Sequence, residues 1–104
     1  MEHKMENLSI KDIISHLQRN KGYLYDKFGV TSIGIFGSFA RGDNTFSSDL
    51  DVVVEMEGDR KNIHSFLQLK RYLEKETAKK IDLGFEHSLK PIVREKIKKQ
   101  IIYV

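Results

Sequence analysis

Residues 31 to 55 constrain the fold of this chain more tightly than any other stretch. The apolar run TSIGIF reads as a strand, Gly37-Ser38 as a small-residue turn leaving it, and Asp49-Leu50-Asp51 as the opening of a second strand, LDVVVE. Asp49 and Asp51 stand at i and i+2, so on a strand both side chains leave one face, while Leu50, Val52 and Val54 leave the other and can bury. Aspartate is poorly suited to a strand interior. Two of them at its entrance point to something that stabilises paired charge, most simply a divalent cation with oxygen ligands. A small-residue turn opposite such a pair is a way to hold a metal-bound triphosphate.

At 104 residues and 39% hydrophobic content, the chain is expected to form one domain over residues 1–104, with a modest core to whose stability a partner can contribute. It has no cysteine, which excludes disulfides and thiolate metal sites. No N-terminal run resembles a signal peptide and no stretch approaches a membrane span, so a soluble cytoplasmic protein is the expectation. The net charge of +3 is uneven: residues 56 to 104 carry twelve Lys or Arg against seven Asp or Glu, many in Lys79-Lys80 and Arg94 to Lys99. No aromatic-basic interleaving accompanies them. Solvated helix faces, with some attraction for an anionic ligand or acidic partner, are therefore preferred to a nucleic-acid surface.

Residues 8 to 28 read as helical, with Ser9 as N-cap, a stripe of Ile10, Ile13, Ile14 and Leu17, a break near Gly22, and Gly29 as C-cap. Strand 31–36 is followed by a helical turn or two from Ser38 to about Gly42, a polar loop, and strand 50–55. Asn62 caps a helix reaching about Lys79, with Ile63, Phe66, Leu67, Tyr72 and Leu73 on its apolar stripe and Leu69 at the margin. Residues 80–85 form a third strand. Pro91 opens a last helix on which Ile92, Ile97 and Ile101 face inward, and residues 101–104 offer an edge strand. This order specifies an α/β (α+β) domain: a small mixed sheet with helices packed mainly on one face.

In the third strand Ile81, Leu83 and Phe85 alternate to one side, leaving Asp82 and Gly84 on the other. If that strand neighbours the second, Asp82 can join Asp49 and Asp51; taken alone it is more often a solvated strand aspartate. Gly37 lets backbone approach a phosphate closely, and the Ser38 hydroxyl can donate to one. Arg41 can reach a phosphate, or pair with Asp43 or the aspartates. Ser47 and Ser48 either orient the carboxylates or solvate the loop. His3, His16, His64 and His87 show no metal-ligand spacing, and Tyr23, Tyr25, Tyr72 and Tyr103 read as packing residues.

The run Gly37-Ser38-Phe39-Ala40-Arg41-Gly42, followed by Ser48-Asp49-Leu50-Asp51, resembles the signature of the nucleotidyltransferase superfamily that includes DNA polymerase beta, poly(A) polymerases and kanamycin nucleotidyltransferase. Its finer pattern is similar to the minimal nucleotidyltransferase (MNT) branch, with the resemblance running from about Thr31 to the end. The resemblance implies a polymerase-beta-like fold, catalytic and metal-binding roles for Asp49, Asp51 and Asp82 on two Mg²⁺ ions, and Gly37, Ser38 and Arg41 at the triphosphate of ATP. It also implies an antitoxin that transfers AMP to a tyrosine of a partner HEPN ribonuclease toxin and assembles with it, nucleic acid not being the expected direct substrate. An antitoxin that merely occludes its partner is the alternative, with transfer to a small molecule less favoured because no acceptor-binding domain is visible. Phe39 and Phe46 depart from the family by placing aromatics where polar or small residues are usual; they can pack on a base, on the partner or over the core.

Overall fold

The computed structural model describes residues 9–45 and 47–104, so His3 and Phe46 lie outside the described residues. Ser9 starts the first helix as expected. Its hydroxyl accepts the Asp12 N–H at 3.2 Å while the Asp12 carboxylate accepts the Ser9 N–H at 3.2 Å, a reciprocal capping box. The single helix expected over 8–28 is two: α1, Ile10–Arg19, and α2, Lys21–Phe28. The break falls at Asn20 and not at Gly22, because the Asn20 side chain turns back to donate to the His16 carbonyl at 2.8 Å. Gly29 closes α2 in the left-handed conformation, φ +75°, a position glycine takes without steric penalty.

Strand β1, Val30–Phe36, leads into the short helix α3, Gly37–Arg41; β2 spans Leu50–Met56. Helix α4, Ile63–Thr77, is capped by Asn62, whose side chain accepts the Ser65 N–H at 2.8 Å. Strand β3, Ile81–Phe85, then α5, Pro91–Lys98, and the two-residue edge strand β4, Ile102–Tyr103, complete the chain. The sheet order is β3-β2-β1-β4, with β2 and β3 parallel and the other pairs antiparallel. The parallel pair follows from α4, which carries the chain back to the starting end of β2.

The main core joins Ile13, Leu17, Leu24, Phe28, Leu69 and Leu73 of the helices to Ile33, Ile35, Val52, Val54 and Ile81 of the sheet. One face of the sheet is thus covered by α1, α2 and α4. The phase of α4 departs from the expected stripe. Leu69 is fully buried whereas Ile63 is 71% and Leu67 46% exposed, so the residue placed at the margin is the centre of the face. Ile92, expected to point inward, is 78% exposed.

Helix α4 ends at Ala78, the one non-glycine residue with positive φ, +55°, among the described residues. An L-residue there is disfavoured by about 1–2 kcal/mol. Ala78→Gly is expected to raise stability by roughly 0.5–1 kcal/mol after the added freedom of the unfolded chain is deducted. Urea denaturation with an unchanged m-value would measure it, and a loss of stability would contradict the strain.

Candidate active site

The strand register brings the two sequence-distant carboxylates together. Asp51 of β2 pairs with Asp82 of β3, and on its other side with Phe36 of β1, the residue preceding Gly37. Val52 and Val54 point into the main core, so Asp51 and Asp82 rise from the opposite face. Asp49 lies in the extended segment just before β2, and the adjacent Leu50 N–H is anchored on the Lys80 carbonyl at 2.9 Å. This bond ties the approach of β2 to that of β3, so the two acidic segments enter the sheet side by side.

Asp51 is half-buried, while Asp49 and Asp82 are exposed. Burial, the neighbouring Asp82 charge and a side-chain hydrogen bond with Asp82 push the Asp51 pKa above the usual carboxylate range; Asp49 adds to the rise and Arg41 opposes it. The rise comes first from burial and then from the crowding of carboxylates, and Arg41 offsets only part of it. Arg41 donates to the Asp43 carboxylate at 3.2 Å and to Gln100 Oε1 at 3.4 Å. Its pairing with Asp43, one of its two expected fates, is the one observed.

Gly37 is required by this geometry. It adopts φ +74°, and a β-carbon there would sit 2.1 Å from Asp51 Oδ2. The Asp51 carboxylate occupies the space that any side chain at 37 would fill. Ser38 follows in the first turn of α3, where its carbonyl accepts the Gly42 and Asp43 N–H groups at 2.9 and 3.0 Å and folds the loop back. The Ser48 hydroxyl accepts the Thr45 N–H at 2.7 Å, so it braces the loop ahead of the carboxylates and does not orient them. Phe39 is 1% exposed and belongs to the core, with the Lys79 ammonium 5.3 Å from its ring centroid.

Among the described residues no three His, Cys, Asp or Glu side chains already converge as a metal-ligating group. What stands preformed is the Asp51–Asp82 pair, with Asp49 coupled through its charge. The donor set suits a hard divalent cation: oxygen ligands only, with negative charge in excess where Asp82 and Asp49 crowd Asp51.

Sequence reasoning did not find a second polar network toward the other end of the same strand. Glu55 accepts from the His87 N–H at 2.7 Å and contacts His87 Nδ1 at 2.7 Å, and Arg94 donates to the His87 carbonyl at 3.0 Å. Tyr103 of β4 donates to Glu86 Oε2 at 2.6 Å, which, with some burial, pushes the phenol up to about 12. A raised phenol stabilises the fold below the ordinary tyrosine pKa near 10 and loses that contribution as pH rises toward 12. Tyr103→Phe is therefore expected to be less stable than the parent at pH 8, with the gap closing above pH 11; a constant gap in denaturation series would remove the hydrogen bond as its source.

A four-stranded mixed sheet with a Gly-Ser turn on one strand and in-register carboxylates on the next two is the architecture of nucleotidyl transfer. The profile described as Nucleotidyltransferase domain matches residues 17–104, and the chain belongs to that family. It is of the minimal nucleotidyltransferase type, within the polymerase-beta-like superfamily. A Methanocaldococcus jannaschii protein provisionally assigned as a protein adenylyltransferase is 42% identical, covering 96% of this chain and 100% of the relative. The protein adenylyltransferase MntA of Thermococcus cleftensis is 34% identical, covering 96% of this chain and 100% of its own length. Among solved structures, one of a minimal nucleotidyltransferase superposes with a TM-score of 0.78 at 27% identity, over 92% of this chain and 96% of that one. The fold is shared too by the structure of a tri-AMPylated Shewanella oneidensis HEPN toxin in complex with its MNT antitoxin, at a TM-score of 0.61, 17% identity, and coverage of 88% and 70%.

Proposed function

We propose that this nucleotidyltransferase is a protein adenylyltransferase antitoxin, moving AMP from ATP to a tyrosine hydroxyl of a cognate HEPN toxin and so silencing it. The observation that carries the reading is the Asp51–Asp82 register beside a glycine that admits only the Asp51 carboxylate. In the reaction the acceptor oxygen bonds to the α-phosphorus, the bridge to the β-phosphate breaks, and pyrophosphate leaves. Asp49, Asp51 and Asp82 are the residues to hold Mg²⁺, which when bound stabilises charge on the entering and leaving oxygens. Asp82, exposed on the sheet's outer strand, is the residue to meet the acceptor hydroxyl and take its proton in this reading, which its exposure supports. Gly37 and Ser38 present backbone and hydroxyl to the triphosphate, and Arg41 reaches it by leaving Asp43 and Gln100. Support for the acceptor comes from the relatives named as protein adenylyltransferases and from the fold shared with the toxin-bound antitoxin.

The test incubates the purified chain with Mg²⁺, α-labelled ATP and the protein encoded by the adjacent gene, and reads the partner by intact-mass spectrometry. Gain of one or more AMP units, absent with EDTA, supports the reading. A stable complex with no mass gain would overturn it in favour of occlusion, for which the exposed Ile63 and Ile92 offer apolar contact surface.

A further inference from the structure

Helices α2 and α4 cover the sheet face opposite the carboxylates, and between them lies a groove of about 300 Å³. Three rings form its wall. Tyr23 and Tyr72 have centroids 5.2 Å apart at 36°, Phe28 and Tyr72 5.6 Å apart, and Phe28 anchors the set in the core. Tyr23 remains 46% exposed. The rest of the lining is Gln68 and three exposed cations, Lys27, Arg71 and Lys75, with no carboxylate. None of these cations has an ion-pair partner among the described residues. The nearby Glu76 is engaged by His16 at 2.8 Å. In sequence these aromatics and cations are scattered over two helices, and only the packing of α2 on α4 gathers them.

A merely solvated helix face would neutralise its cations with i,i+4 acids or spread them; this one concentrates positive charge around an exposed ring. Cations alone would suit any anion. The exposed Tyr23 ring, tilted 36° to Tyr72 and set edge-on to Phe28 at 83°, narrows the choice, because an aromatic face is a stacking surface that a nucleobase uses and a carboxylate side chain does not. A duplex keeps its bases stacked internally and cannot present one. The Gln68 amide carries both a donor and an acceptor for a base edge. We propose that this groove binds single-stranded nucleic acid, one base stacking on Tyr23 while flanking phosphodiesters meet Lys27, Arg71 and Lys75. Arg71 and Lys75, one helical turn apart on α4, then contact the backbone on the same side of the base. The groove opens away from the carboxylates, so the strand is a ligand and not the acceptor of the transfer reaction.

Fluorescence anisotropy with a labelled twelve-nucleotide RNA of mixed sequence in low salt tests this. Tyr23→Leu, which keeps an apolar side chain over Phe28 and Tyr72, is expected to weaken binding about tenfold and to leave the salt dependence unchanged, while Tyr23→Phe binds as the parent. Arg71→Gln with Lys75→Gln is expected to flatten the slope of log affinity against log salt by about 1.4. Asp49→Asn with Asp51→Asn should bind RNA normally, which separates this groove from the transfer site. The proposal is overturned by absence of binding in low salt, by Tyr23→Leu binding as the parent, or by loss of binding in the aspartate variant. Displacement of the RNA by polyglutamate of equal charge as effectively as by unlabelled RNA would also overturn it, assigning the groove to an acidic peptide.

Discussion

Asp51→Asn is expected to reduce nucleotidyl transfer by roughly a thousandfold or more while the chain folds at least as well as the parent. In the proposed mechanism, removing a carboxylate that shares in metal binding forfeits several kcal/mol of charge stabilisation in the transition state, and about 4 kcal/mol corresponds to that factor. The effect on the fold runs in the opposite direction. Burial and the Asp82 charge raise the Asp51 pKa, so the folded protein favours the protonated form and keeping Asp51 ionised at neutral pH weakens the metal-free fold. An amide of the same shape carries no such penalty. The parent should accordingly gain stability as pH falls through the raised pKa toward the ordinary value of 3.8, and Asp51→Asn should lack that gain. Transfer within tenfold of the parent, measured with α-labelled ATP under saturating Mg²⁺, would mean that Asp51 has no part in the chemistry. A sharply destabilised variant would mean that its carboxylate serves the fold. The pairing of lost activity with retained stability is what a site strained for function predicts.

Gly37→Ala is expected to damage both fold and activity. The backbone conformation alone disfavours an L-residue by about 1–2 kcal/mol. The added β-carbon would stand 2.1 Å from Asp51 Oδ2, a separation no packing tolerates. Either the Asp51 carboxylate swings away or the start of α3 shifts; the first removes a proposed metal ligand and the second moves the proposed phosphate turn. A stability loss of roughly 1–3 kcal/mol is expected, equivalent to a melting shift of the order of 10 °C for a domain of this size. Transfer should fall at least about a hundredfold even below the melting range. The informative comparison is with Gly42→Ala, since Gly42 also has positive φ, +83°, but no atom lies within 4 Å of its would-be β-carbon. If the two variants lose activity equally, the close approach to Asp51 is irrelevant and only backbone strain matters.

Much of this architecture was legible in the residues because its signals are local. Ser9, Gly29, Asn62 and Pro91 end or start helices by chemistry confined to one turn, and all four act as expected. The alternation of Ile81, Asp82 and Leu83 put Asp82 on the right face, but its pairing with Asp51 depended on strand order, which alternation does not encode. Leu69 was misjudged for a related reason: several rotational phases of α4 bury some leucine, and the sheet beneath selects among them. The α1–α2 break turned on one side chain, Asn20, folding back on its own helix. The aromatic-basic groove was invisible because its two halves, on α2 and α4, are separated by forty positions or more, where no window of periodicity reaches.

The crossover through α4 has a temporal consequence. Asp51 and Asp82 become neighbours only when β3 docks beside β2, thirty-one residues later in the chain, the kind of non-local parallel pairing that forms slowly because its loop must close first. During synthesis the Gly-Ser turn and the first two aspartates emerge well before their third companion. On the proposed role of the three aspartates, a nascent chain that has built only its hairpin of β1 and β2 is still inert, and the capacity to modify anything arrives with the pairing of β3 on β2. On that reading, competence doubles as a check that β3 has docked.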